Sequence, residues 1–376
     1  MSESGISPAA HPNLACFAAS YPAARASFLL ATAEAGGVAH TAVHPDAHGP
    51  DGGDLTVDVA TFGPPDASRA LLILSGTHGA EGYAGSAAQV ALMRTGRLDH
   101  LPPDTRVVLV HGLNPYGFAH ATRTTENNVD LNRNFVDFTA PLPSNPGYLE
   151  LHDFLCPEEW TPGSQAAAER SIEEWVASNG KAAWLDAIMK GQYDDASGLN
   201  YGGRAPEWSN RTLRSIVARH LGSVRRLGFI DWHTGLGKPG EPFFLCFNDR
   251  GGPDWQRACA WWGRERVENE EGFEGGSRPA YNGLVFYGVR EAIALAQMTG
   301  AVIEFGTLPI KETFNQLRVD RWLKFGKVPA DAKAIEPLRQ RIREAFVSSD
   351  PEWRIRVIDH ARQIQLQALD GLAAWD

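Results

Sequence analysis

The chain has 376 residues, 43% of them hydrophobic and 21% charged, with a formal net charge of −10 and a pI near 5.7. That is an ordinary globular composition, long enough for one large α/β domain or two smaller ones. The acidic balance argues against nucleic acid, whose phosphates prefer a basic face, and the chain has no apolar run of about eighteen residues that could span a membrane.

Residues 1–12 are small and polar with prolines, and disorder is expected there, with the folded domain running over 13–376. The apolar patch 28–31 is too short for the core of a signal peptide and has only Arg25 before it. Cys16, Cys156, Cys246 and Cys259 are scattered without C-x-x-C spacing. They read as free thiols in a reducing compartment, so a cytoplasmic protein is expected, and cysteine-ligated zinc is not. A helix is predicted over 21–36, then strands over 39–44 and 55–62 around a turn at 48–54. The run 71–75 is a buried strand, followed by a glycine-rich turn and a helix over 83–94. Another buried strand covers 106–111, and an unusually polar loop runs from Thr122 to Phe135.

Over 140–208 the pattern changes. Pro141, Pro143, Pro146, Pro157 and Pro162 are expected to break its early part, helices are predicted over 165–177 and 181–190, and 192–208 reads as a loop near the site. This is either an insertion beside the core or a small subdomain that drives homo-oligomerisation. Ser209 is a candidate N-cap for a helix to 220, and strands follow over 227–233 and 241–247. A long helix is predicted from Asp254 to 271, then a loop-like run to 287 and a strand over 301–305. Helices near 309–325, 331–347 and 352–370 finish the chain. Strands alternating with helices give an α/β fold, whose sites gather at the carboxyl ends of strands.

Four polar clusters fall at such ends. His78 and Glu81, spaced His-x-x-Glu, place an imidazole and a carboxylate side by side, the N and O donors zinc favours, although the spacing also occurs in plain surface turns. Gly76, Gly79 and Gly82 argue for a tight loop whose backbone can wrap an ion. His233 completes a His/Glu/His set, and catalytic zinc commonly keeps a fourth position for water. Glu304 closes an apolar strand and fits a general base, the alternative being an ion-paired strand end. Asp231, two residues before His233, shares its face of the strand and could orient a neighbour. Asp130 could fix the tautomer of a ligand histidine. Arg133 offers a planar fork for a carboxylate, with Asn132 beside it. Arg123 could hold an oxyanion, or could pair with Glu126 or Asp137 at the surface. Ser75 lacks a G-x-S-x-G elbow, so a serine hydrolase is not indicated.

The strings His78-x-x-Glu81, Asn114-Pro-Tyr-Gly117, Asp130-Leu-Asn-Arg-Asn-Phe135, Asp231-Trp-His233 and Ile303-Glu304 resemble the zinc carboxypeptidases of the carboxypeptidase A type, in particular a bacterial branch of them. The match covers about 70–138 and 227–307. The resemblance implies one domain around a mixed, twisted eight-stranded sheet flanked by helices, with the 140–208 insertion added. It implies one zinc ion on His78, Glu81 and His233, with Glu304 as base. It also implies Arg123 at the oxyanion, Asn132 and Arg133 on the substrate's terminal carboxylate, and Asp130 behind the first histidine. Tyr281 and Tyr287 both fall near the place of the family's substrate-covering tyrosine. The expected activity is hydrolysis of an amide beside a free carboxylate in a small peptide. Aspartoacylase-type deacylases share the His-x-x-Glu and Asp-Leu-Asn-Arg strings, so an N-acyl amino acid is the second expected substrate. A zinc-holding protein without turnover is the third reading.

Overall fold

Each apolar run becomes a strand. In the computed structural model, which describes residues 11–268, 278–293, 295–328 and 332–375, these are β1 (Val38–His48), β2 (Asp54–Phe62), β3 (Arg69–Ser75), β4 (Thr105–His111), β5 (Arg226–Pro239), β6 (Pro242–Leu245) and β7 (Gln297–Gly306). They form one mixed sheet in the order β1-β2-β4-β3-β5-β7-β6. The inner strands β4, β3, β5 and β7 are parallel, while β1, β2 and β6 pair antiparallel. The eight strands implied by the resemblance are therefore corrected to seven among the described residues. The seven apolar runs of the chain account for all of them.

Successive side chains of a strand point to opposite faces. Leu71 and Ile73 pack with the helices Tyr21–Glu34, Gly82–Met93, Pro253–Trp262 and Pro351–Ala373, whereas Leu72 and Leu74 pack with Trp208–Leu221 and Val285–Ala292. Both faces are covered, which is why the inner strands are apolar throughout rather than alternating. From β3 the chain moves to β4 on one side and later to β5 on the other. A crevice opens at such a reversal, beyond the carboxyl ends of the strands.

Several local expectations are corrected. Pro146 and Pro162 do not break the insertion. They occupy the first turns of the helices Pro146–Leu155 and Pro162–Asn179, capped by the side chains of Asn145 and Thr161, because proline's missing N–H is no loss there. A third helix, Lys181–Met189, follows, and Tyr148, Leu151, Leu155 and Ile188 form a core that Phe314 and Leu317 join. The helix expected from Asp254 begins at Pro253 and stops at Trp262, where Gly263 takes φ +94°. A short helix Arg264–Val267 follows, and the end of the predicted helix at 271 lies outside the described residues. The loop-like run before 287 contains the start of helix Val285–Ala292. The cap before residue 209 is Glu207, not Ser209. Of the segment expected to be disordered, 1–10 lies outside the described residues, and Pro12–Cys16 forms a 3-10 turn. The four cysteines are free thiols, and among the described residues no helix is long and apolar enough to cross a membrane.

Candidate active site

β3 ends at Ser75, His78 follows in extended conformation, and one 3-10 turn, Gly79–Glu81, leads directly into helix Gly82–Met93. The backbone does not wrap an ion, contrary to the reading of the glycines. The N–H groups of Gly79 and Ala80 are spent on the carbonyls of Arg123 and Thr122. Gly79 is required by close approach: a Cβ there would lie 1.9 Å from the carbonyl carbon of Gly117. Asn114 caps the helix Pro115–His120 through Oδ1 and gives its Nδ2 hydrogen to the Arg123 carbonyl at 3.3 Å. The Asn-Pro-Tyr-Gly string is thus a platform joining the His-x-x-Glu turn to the arginine loop.

His233 is on β5, whose residue Trp232 lies opposite Ser75 of β3, so parallel pairing carries the third side chain to the first two. His78 Nδ1 is 2.9 Å from Glu81 Oε1 and 3.0 Å from His233 Nδ1, and His233 Nδ1 is 3.1 Å from Glu81 Oε2. The Nε2 of His78 faces Asp130 Oδ1 at 3.1 Å, and that of His233 lies 3.0 Å from Asp231 Oδ2. The second contact is an ion pair in distance but too bent for a hydrogen bond. Asp231 is itself anchored by the Thr77 hydroxyl at 2.9 Å. The bond to Asp130 assigns the ring proton of His78 to Nε2, and the nearby negative charge of Asp231 favours the same tautomer for His233, which turns both Nδ1 lone pairs inward. Three buried acceptors then face one another with no proton between them. A cation relieves that repulsion. A tetrahedral zinc with bonds of about 2.0–2.1 Å spaces its ligand atoms by roughly 3.3 Å, close to the separations here. The donor set therefore fits a zinc ion.

Without a cation between them the imidazoles can instead hold a proton against Glu81: burial alone would raise its carboxyl, but His78 and His233 then hold it well below the ordinary range. The Thr234 N–H adds a bond to Glu81 Oε2 at 3.0 Å. In that same cation-free state His233 is pushed upward despite burial, by Asp231 and then Glu81. Glu304 lies opposite His233 across β5 and β7 and is only 8% exposed. Its Oε2 is buried with no hydrogen-bond partner among the described residues. Burial first, then repulsion from Glu81, raises it to about 8.

Arg123 is not a surface pair with Glu126 or Asp137. Its Nε and Nη2 donate to Asp130 Oδ2 at 3.1 and 3.0 Å, and its Nη1 to Glu81 Oε1 at 3.4 Å. Burial opposes its charge, but Asp130 and Glu81 more than offset that. Asp130, buried, is held low mainly by Arg123, with His78 and Arg133 adding. Arg133 donates from Nε and Nη2 to the Met189 carbonyl and from Nη1 to that of Asn132. Three of its five N–H groups are used, and two remain. Asn132 Oδ1 accepts from the Val285 N–H at 2.9 Å, which leaves Nδ2 as its free end. His78, Arg123, Asn132, Arg133, Tyr281 and Glu304 line a single cleft of about 800 Å³ counted to its open mouth. Tyr281 lies under the Arg133 guanidinium, 5.2 Å from ring centroid to Cζ, and burial keeps its phenol protonated. Tyr287 does not line the cleft. Its ring packs on Phe247 and Phe286 with Arg290 over it, because helix Val285–Ala292 turns it away.

The sequence reading missed what the insertion does here. Beyond Met189, Tyr193 donates its hydroxyl to the Arg133 carbonyl at 2.6 Å, the Tyr201 carbonyl accepts the Asp130 N–H, and Asn200 lines the cleft. No motif signals these contacts, since two are backbone carbonyls. Thr234 was also missed, although it directly follows His233.

A family described as "Protein of unknown function (DUF2817)" matches residues 17–360. The chain belongs to this family. No curated protein matches the chain. Among solved structures, carboxypeptidase A from Helicoverpa armigera aligns with this DUF2817 chain at TM-score 0.51 and 13% identity, over 94% of this chain and 73% of that one. The succinylglutamate desuccinylase from Chromobacterium violaceum aligns at TM-score 0.35 and 16% identity, over 81% and 75%. A metallo-carboxypeptidase from Burkholderia cenocepacia aligns at TM-score 0.39 and 12% identity, over 93% and 68%. By the first of these alignments the DUF2817 chain has a carboxypeptidase A-like α/β fold.

Proposed function

We propose that this chain is a zinc-dependent hydrolase that cuts an amide bond next to a free carboxylate, acting as a carboxypeptidase on small peptides. The observation that carries the reading is the convergence of three buried acceptor atoms, on His78, Glu81 and His233, in one cleft with an arginine fork and with Glu304, whose Oε2 has no hydrogen-bond partner among the described residues. A zinc ion held by the three side chains supplies Lewis acidity. The two remaining N–H groups of Arg133 and the Nδ2 of Asn132 anchor the substrate carboxylate. Glu304 takes a proton from water at Oε2 and returns it to the leaving nitrogen. Arg123, kept charged by Asp130, stabilises the developing oxyanion. Leu245, Phe247, Leu284 and Val302 line the cleft and suit an apolar substrate side chain.

One observation favours a second reading, an N-acyl amino acid deacylase. The insertion supplies Ile188, Met189 and Asn200 to the cleft wall, which narrows it towards small substrates. Side-by-side assay of zinc-loaded protein on dipeptides and N-acyl amino acids separates the two. Dipeptide hydrolysis is expected, and cleavage of N-acyl amino acids alone selects the deacylase. Stoichiometric zinc with no turnover on either series makes the chain a binding protein and removes both.

A further inference from the structure

Helix Trp208–Leu221 borders a cavity with His40, Thr41 and Ala42 of β1 and Val59 of β2, and this cavity shares no lining residue with the cleft. The helix's apolar residues Leu213, Ile216, Val217 and Leu221 face the core. Arg211, Ser215 and Arg219, spaced four apart, share one stripe on the same helix. With His40, Thr212 and His220 they line this cavity, in which, among the described residues, no carboxylate takes part. Two arginines thus face this space with no acid in its lining among the described residues, although the chain carries a net charge of −10.

Their charges are open. Arg211 gives an N–H to the Pro206 carbonyl, and Arg219 makes no ion pair among the described residues. Glu207, at the start of the helix, senses Arg211, but its Oε2 accepts from Thr125 and Asn127. His220 is the buried element, 5% exposed. Arg106 Nη2 lies 3.3 Å from its Nδ1, and a guanidinium can only donate, so Nδ1 accepts and Nε2 carries the hydrogen. That Nε2–H has no partner among the described residues, and the ring lines the cavity beside His40, centroids 5.2 Å apart. Burial, then the charges of Arg106, His40 and Arg219, push the imidazole down to about 4. It therefore serves as a neutral donor at ordinary pH. Two guanidinium groups, a fixed imidazole N–H and the hydroxyls of Thr212 and Ser215 all offer hydrogens to one space.

We propose that this cavity is a second ligand site, separate from the cleft, that takes a small polyvalent oxyanion, either a phosphate or a polycarboxylate. The full chain is titrated calorimetrically in low salt with inorganic phosphate and, separately, with citrate. Saturable binding of at least one is expected below about 10 mM, and the anion that binds identifies the source. Arg211→Glu with Arg219→Glu should weaken it by at least about tenfold, since each arginine supplies a charge-assisted contact. Both side chains are exposed, so the fold should survive, and melting temperature checks this. Arg219→Ala alone, the milder change, should weaken binding in the same direction. Arg290→Glu, on another helix, should leave binding unchanged. Absence of saturable binding, or equal binding by wild type and the double variant, overturns the site. In the second case the anion sits on the cleft arginines instead.

Discussion

Glu304→Gln separates the chemistry of the cleft from its stability. Glu304 is buried beside Glu81, and its carboxyl is raised from the ordinary 4.5 to about 8. In the unfolded chain the group ionises near 4.5, whereas in the zinc-free native state it keeps its proton until about 8. Between these values the unfolded state binds fewer protons, so stability falls as pH rises. At about 1.36 kcal/mol per pH unit, the full loss above pH 8 is on the order of 5 kcal/mol. Glutamine has the same shape and no charge to bury. Zinc-free Glu304→Gln should therefore match wild type near pH 5 and exceed it in stability near pH 9 by up to that amount. Urea unfolding at pH 5, 7 and 9 measures the difference. Zinc should narrow the gap, because a divalent ion nearby favours the ionised carboxylate in wild type. The same variant should retain zinc and lose about 10²–10⁴-fold in rate, the usual worth of a general base. Parallel pH profiles for wild type and variant would refute the electrostatic account, and full activity in the variant would remove Glu304 from the mechanism.

Asp130→Asn takes the carboxylate from behind His78 and from Arg123, and should weaken zinc binding by about 10–100-fold, measured by competition with a chromophoric chelator. Arg133→Gln should raise KM by about 10–100-fold for substrates with a free carboxylate, while a substrate amidated at that carboxyl reacts equally with both enzymes. Equal KM values for the free carboxylate would take Arg133 out of substrate binding. His111, fully buried against Phe28 with Nε2 3.0 Å from Ser86 Oγ, is lowered by burial from 6.5 to about 4. The native state resists a proton that the unfolded chain accepts, so stability present above pH 6.5 should fall towards pH 4 by roughly 3 kcal/mol. A His111→Gln variant with an unchanged acid limb would show that His111 does not cause it.

Much of the site is local in origin and therefore legible in the sequence. His78 and Glu81 follow β3 within six residues, His233 stands within β5 and Glu304 within β7. Parallel strands with apolar runs must stack their carboxyl ends together, so residues far apart in the chain meet there. Arg123, Asp130, Asn132 and Arg133 lie on one polar loop after β4 and share that end. Eight strands were implied by resemblance, but the apolar runs supported seven, and the pattern of the chain itself proved the better guide.

Other features depend on contacts between distant segments, and no periodicity carries them. Whether Tyr281 or Tyr287 faces the cleft depends on where helix Val285–Ala292 begins, and Arg290 covers the ring that turns away. Pro146 and Pro162 mark helix starts rather than breaks because Asn145 and Thr161 happen to cap them. The hold of the insertion on Arg133 runs through the Met189 carbonyl, a group every residue type possesses. The strands, their polar carboxyl ends and the residues His78, Glu81, His233 and Glu304 could be read from the chain alone, since apolar runs and the residues that end them are local properties. Which imidazole nitrogens face inward, which acid Arg123 meets and how many N–H groups Arg133 keeps free emerge once the chain is folded. A hydrogen bond is set by the position of its partner, and these partners come from other parts of the fold.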